Sequence, residues 1–139
     1  MKLKGMVPPI GTPINADETV DEKGLRKLVN HLIDGGVNGI FVNGSMGCFA
    51  LLTDAEQIRA VEIVADEVNG RVPVVAGISD TGTKRVIKKT KIIEKFQIDF
   101  VTAVVPYFFR LTQAQGKRFF QEVANASQKP VLIYNNPYL

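Results

Sequence analysis

The chain carries one cysteine and one histidine in 139 residues. With Cys48 alone, no internal disulfide can form, which fits a cytosolic home. The carboxylates fall at no metal-ligand spacing. No apolar run approaches the ~20 residues of a membrane span. The N-terminal stretch "MKLKGMVPPIGTP" has basic residues, but Pro8 and Pro9 interrupt any signal-peptide core. Net charge is only +3, from 17 basic and 14 acidic residues. That is too mild to argue for nucleic acid, and the basic residues lack the interleaved aromatics of such a surface. There is neither a Walker loop nor a GxGxxG. No linker or low-complexity stretch divides residues 1–139, so one domain or a piece of a larger one is expected, with no second domain.

What is present is a hydrophobic content of 45% and a regular change of period. Short apolar runs predict strands at 6–10, 39–42, 72–76, 100–105 and 131–134. Helical patterns fall between them, at 21–35, 53–68, 82–95 and 112–126. Thr53 with Glu56, and Thr112 with Gln115, have capping-box spacing. The strands are nearly continuous in Val, Ile, Phe and Ala, which marks a parallel sheet buried on both faces. Each strand-helix unit is about 30 residues, the length of a right-handed βαβ crossover. The pattern fits an open doubly wound sheet or a (β/α) barrel. In "KRVIKKTKIIEK", Val86, Ile87, Thr90 and Ile93 are helically spaced. The lysines read as the solvated face of that helix, against a phosphate- or RNA-binding patch as the alternative.

In both architectures chemistry gathers where strands end and helices begin. The second such corner is Asn43-Gly44-Ser45-Met46-Gly47. Its glycines let the backbone approach a ligand closely, and Ser45 adds a hydroxyl. The corner is either a cradle for a small carboxylate or phosphate, or a plain βα turn in which Ser45 solvates loop amides. Tyr134 ends an apolar strand, either as a proton relay or as a core phenol with a satisfied hydroxyl. His31 reads as a helix-surface residue, Cys48 as a small loop-packing group, and Asp80 as a helix cap.

Together, "GTPIN", "GGVNGIFVNGSMGCFALLTDAEQ", "RVPVVAGIS", "VVPYF" and "PVLIYNNP" occur in an order and spacing that resembles the N-terminal half of the dihydrodipicolinate synthase / N-acetylneuraminate lyase family. The resemblance spans the whole chain. It implies an α/β fold, here an incomplete TIM barrel of about five strands and four helices. It also implies a class I aldolase or lyase that binds pyruvate, or a related 2-oxo acid, as a Schiff base on a lysine. An aldehyde partner, a homo-oligomer and a cytoplasmic location go with it, and no metal or organic cofactor. By position, Ser45 matches the first hydroxyl of the family's Gly-Ser/Thr-Thr-Gly-Glu motif, with Gly44 and the Met46 amide beside the carboxylate. Tyr134 matches the catalytic tyrosine, Thr12 the threonine near the pocket floor, and Tyr107 the Pro-Tyr-Tyr motif. Arg110 is a candidate for a substrate acid group, or a surface salt bridge.

The departures carry information too. Met46 replaces a threonine, and a thioether cannot relay a proton. Cys48 replaces a glutamate. Phe108 stands where synthases carry a tyrosine that reaches a neighbouring subunit. Leu139 stands where synthases place an arginine for a dicarboxylic substrate, which favours the sugar-acid or neuraminate-lyase type. The resemblance puts the imine-forming lysine on a sixth strand, past Leu139. None of the eleven lysines present is expected inside the barrel. The 139-residue chain alone is therefore expected to be inactive. The alternative is a non-catalytic half-barrel or split-gene partner that works by association and exposes lining residues such as Phe41, Val75 and Val104.

Overall fold

The computed structural model describes residues 3–136. Four parallel strands form one sheet in the order β1-β2-β3-β4: Ile40–Val42, Val74–Gly77, Phe100–Ala103 and Val131–Ile133. Helices α1 (Glu22–Asp34), α2 (Asp54–Val68), α3 (Thr83–Ile93) and α4 (Gln113–Ala126) alternate with them. This is an incomplete (β/α) barrel. Register pairs Phe41 with Val75, Val75 with Phe100, and Thr102 with Leu132. Period-two alternation then separates two faces. Ile40, Val42, Val74, Ala76, Val101 and Ala103 turn toward the helices and join Leu25, Val29, Val61, Val64, Val86, Ile93 and Val123 in one core. Each such fully buried branched side chain stabilises the fold by roughly 1.5–3 kcal/mol relative to exposure. Phe41, Val75, Phe100, Thr102 and Leu132 line the opposite, concave face.

The expected first strand forms only a single bridge, Pro9 to Phe41. The backbone does run beside β1: Phe41 N–H donates to Pro8 O at 3.0 Å, and Ile10 N–H to Phe41 O at 2.9 Å. Two consecutive prolines remove the donors that would extend this ladder.

The helix ends follow local chemistry. Asp21 caps α1, accepting from Gly24 N–H at 2.9 Å. Thr112 and Gln115 form a reciprocal capping box on α4. The expected box on α2 is only half made. Thr53 accepts from Glu56 N–H, but the Glu56 carboxylate turns away to Val20 N–H at 2.6 Å. That bond ties the loop before α1 to α2. On the outer surface Arg26 joins Glu22 of its own helix to Asp66 and Glu67 of α2.

The concave face is less open than the half-barrel reading expects. Val75 and Val104 are 3% and 2% exposed, and Phe41 is half-buried. The sheet curls enough for its own aromatic and branched side chains to cover one another. The exposed apolar surface lies instead at the β4 edge, where Ile133 is 64% exposed, and at Phe108 and Phe109. A groove of about 810 Å³ runs between β4 and α4, lined by Val105, Leu111, Phe120, Ile133 and Tyr134 among others.

Candidate active site

All four strands are parallel, so the loops that follow them lie at one end of the sheet. The loop after β1 is two short 3₁₀ turns, Ser45–Gly47 and Phe49–Leu51, joined at Cys48 in the left-handed region (φ 53°). Gly44 O accepts from Gly47 N–H at 3.0 Å, and Ser45 O from Cys48 N–H at 3.0 Å. Ser45 and Met46 are exposed at its tip.

Two glycines are required here by close approach. A Cβ on Gly44 would sit 2.7 Å from the Phe41 ring, and one on Gly47 would sit 2.9 Å from Thr12 Oγ1 and 3.1 Å from Ile10 O. The chain therefore folds the Ser45 loop directly onto Thr12 and onto Phe41. Phe41 in turn meets Tyr134, with ring centroids 6.2 Å apart. Tyr134 is held by its own N–H, which donates to Ala103 O at 2.9 Å. Gly44 and Tyr134 thus meet on one phenylalanine, while Thr12 lies against Gly47.

Tyr107 does not join them. Its ring meets Phe49 edge-on at 5.8 Å, and it lines a separate cleft of about 350 Å³ with Asp54, Gln57, Asp80, Thr81 and Arg85. Burial there, reinforced by the Asp80 charge, raises the phenol above its ordinary pKa. Arg110 is exposed, with no salt bridge among the described residues. Leu139 and Lys2 lie outside the described residues.

Three side chains lie otherwise than expected. Cys48 is exposed rather than packed, because its left-handed backbone turns it outward between the two turns. Asp80 does not cap α3; Gly82 occupies the cap position without a side-chain bond. Asp80 is 5% exposed, and its carboxylate accepts from Thr81 N–H at 2.7 Å and from Arg85 Nε at 2.6 Å. Lys89 lies 3.1 Å from its other oxygen. Burial opposes its ionisation, yet the Arg85, Thr81 and Lys89 donors outweigh burial and hold the carboxyl down at about 2. Lys89 itself is 4% exposed rather than solvated. Its ammonium donates to Gln57 Oε1 at 2.6 Å and Ser79 O at 3.2 Å. His31 is exposed on its helix, as expected.

Lys89 and Gln57 are not among the expected site residues, and Phe41 is expected only as a lining residue. Position held a signal for the first two. Lys89 follows Val86 by three residues and precedes Ile93 by four. Gln57 precedes Ala60 and Val61 by three and four. Both therefore fall on the buried stripes of their helices. Among the described residues, no group of three or more His, Cys, Asp or Glu side chains is placed to hold a metal ion. No helix among them is long and apolar enough to cross a membrane.

Four parallel strands alternating with helices, with short loops collected at the strand C-termini, define this chain as part of a (β/α) barrel. The model of the dihydrodipicolinate synthetase family matches residues 2–139, and the chain belongs to that family. It is 35% identical to a 4-hydroxy-tetrahydrodipicolinate synthase of Methanopyrus kandleri, over 98% of this chain and 46% of the relative. It is 30% identical to a probable 2-dehydro-3-deoxy-D-pentonate aldolase, YjhH, of Escherichia coli K12, over 99% of this chain and 46% of the relative. Its fold overlays on YagE, a prophage protein of the same family from E. coli K12 solved in complex with pyruvate. The TM-score is 0.95 at 32% identity, covering all of this chain and 47% of that one. The chain spans about half the length of the curated relatives it matches.

Proposed function

We propose that the chain is the N-terminal part, residues 1–139, of one TIM-barrel domain of a class I aldolase or lyase acting on pyruvate or a related 2-oxo acid. The observation that carries this reading is the loop after β1, which packs Gly47 against Thr12 and Gly44 against Phe41, the ring that Tyr134 also meets. The overlay on a pyruvate-bound relative supports it. In this reading the Ser45 hydroxyl and the Gly44 and Met46 amides hold the keto-acid carboxylate, and the Tyr134 phenol moves the proton. A lysine on a later strand supplies the amine, and the imine it forms is the electron sink for cleaving or forming a carbon–carbon bond with an aldehyde. Met46 cannot pass a proton, so any relay runs through Ser45 and Tyr134 alone. Leu139 in place of an arginine favours a sugar-acid or neuraminate-lyase substrate over dihydrodipicolinate synthesis. A cytoplasmic homo-oligomer belongs to the same proposal, and the exposed Phe108 and Phe109 support self-association.

The lysines described here do not serve as the imine amine. Lys89, the buried one, is engaged by Gln57 Oε1, Ser79 O and the Asp80 carboxylate. Borohydride reduction in the presence of pyruvate tests the reading by mass. The 139-residue chain is expected to gain nothing, and a form extended through the rest of the barrel to gain one reduced pyruvate. An unmodified extended form would overturn the proposal.

The open β4 edge favours a second reading, a half-barrel that works only by association. Ile133 and the adjoining groove leave apolar surface without cover. A 15.3 kDa monomer on a sizing column that binds no hydrophobic dye would count against it.

A further inference from the structure

We infer that a buried brace of Asp80, Lys89 and Gln57 positions the Ser45 loop, and so acts as a set of positioning residues for 2-oxo-acid binding; this rests on the function proposed above. Gln57, on the buried face of α2, donates through Nε2 to Phe49 O at 2.9 Å and to Leu52 O at 3.1 Å. These carbonyls bracket the second 3₁₀ turn. Phe49 N–H leads back to Gly44 O, at the root of Ser45. The amide of Gln57 has two possible orientations, and only one offers N–H groups to the loop. Lys89 selects it. An ammonium is a donor only, so at 2.6 Å from Gln57 it requires the amide oxygen to face it.

Lys89 is fixed in turn from the next strand. Asp80 Oδ2 lies 3.1 Å away and Ser79 O 3.2 Å away, both in the loop after β2. Ser79 Oγ accepts from Val104 N–H at 3.1 Å, which carries the tie to the end of β3. The brace therefore joins the C-terminal ends of three strands through groups that are 4–6% exposed. A methionine or leucine at position 89 would fill the volume. It would not orient the glutamine. A buried ion pair of this kind adds little net stability over an apolar substitute, whereas it does fix one geometry.

Hydrogen exchange on the 139-residue chain tests the brace without any need for turnover. Gln57→Glu keeps an oxygen for Lys89 and deletes both N–H donors to the loop. The amides of Gly47, Cys48, Leu51 and Leu52 are expected to exchange at least ~10-fold faster in this variant, with the α4 interior at Val123 unchanged. Lys89→Met is expected to do the same, and the double variant to add nothing further. Gln57→Glu decides the matter even where Lys89→Met fails to fold. Loop amides at parental rates, or loop and α4 amides accelerating together, would overturn the inference. Failure of an extended form to trap pyruvate would overturn the functional reading alone and leave the brace standing.

Discussion

Phe41 and Tyr134 sit on β1 and just past β4, the two outer strands of the sheet, yet their ring centroids are 6.2 Å apart. Three inter-strand steps of about 4.8 Å would separate those strands by ~14 Å in a flat sheet. The contact is therefore a measure of curl. It also means that the loop after β1 and the tyrosine after β4 share one wall. Phe41 is predicted to act as that wall. Phe41→Ala should lower stability by about 2–3 kcal/mol, less than for a fully enclosed ring because Phe41 is only half-buried. Urea denaturation measures the loss, and a loss below about 0.5 kcal/mol would mean the ring holds nothing together.

Gly44 gives a sharper test of the same wall. An added Cβ at 2.7 Å from the Phe41 ring forces the ring or the loop to shift. Gly44→Ala should destabilise by about 1–3 kcal/mol in the parent and by clearly less in the Phe41→Ala background. A double-mutant cycle with additive effects would separate the two residues.

Acid stability should report Asp80. Its folded-state carboxyl is lowered from 3.8 to about 2, so its contribution is full above pH 4 and is lost as pH falls through 2. The shift corresponds to roughly 2 kcal/mol. Asp80→Asn should therefore be less stable than the parent at pH 6 and show a flatter fall between pH 4 and pH 2. Parallel stability–pH curves for the two proteins would exclude this role.

The half-made cap on α2 and the complete box on α4 predict different sensitivities. Thr112→Ala should cost about 1 kcal/mol by loss of the cap. Glu56→Gln leaves the Thr53 cap intact and weakens the charged bond to Val20 N–H. Its effect should appear as faster exchange of the Val20 amide, with the α2 amides unchanged. Comparing exchange at Val20 with exchange inside α2 separates these cases.

The helices and β2 to β4 were legible because apolar period and length agree there, as in Val74-Val75-Ala76 and Phe100-Val101. The segment at 6–10 has strand-like side chains, but two of its amides belong to prolines, and side-chain pattern does not count donors. The loop after β1 was legible from Gly44 and Gly47. What period cannot convey is where a helix places a single polar side chain on an otherwise apolar stripe. Lys89 shares a basic run with Lys88 and Lys91, which are exposed, although its own position faces Gln57 and Asp80. Motif alone groups Tyr107 with the pocket. The edge contact with Phe49 turns it into the neighbouring cleft instead.

The most direct measurement joins this chain to the C-terminal half of the pyruvate-bound E. coli relative, so that the barrel is complete. Borohydride trapping with pyruvate then compares the parent with Ser45→Ala and Tyr134→Phe. One reduced pyruvate is expected on the parent, with trapping slowed by roughly 100-fold or more in each variant. Equal trapping rates in all three proteins would contradict it.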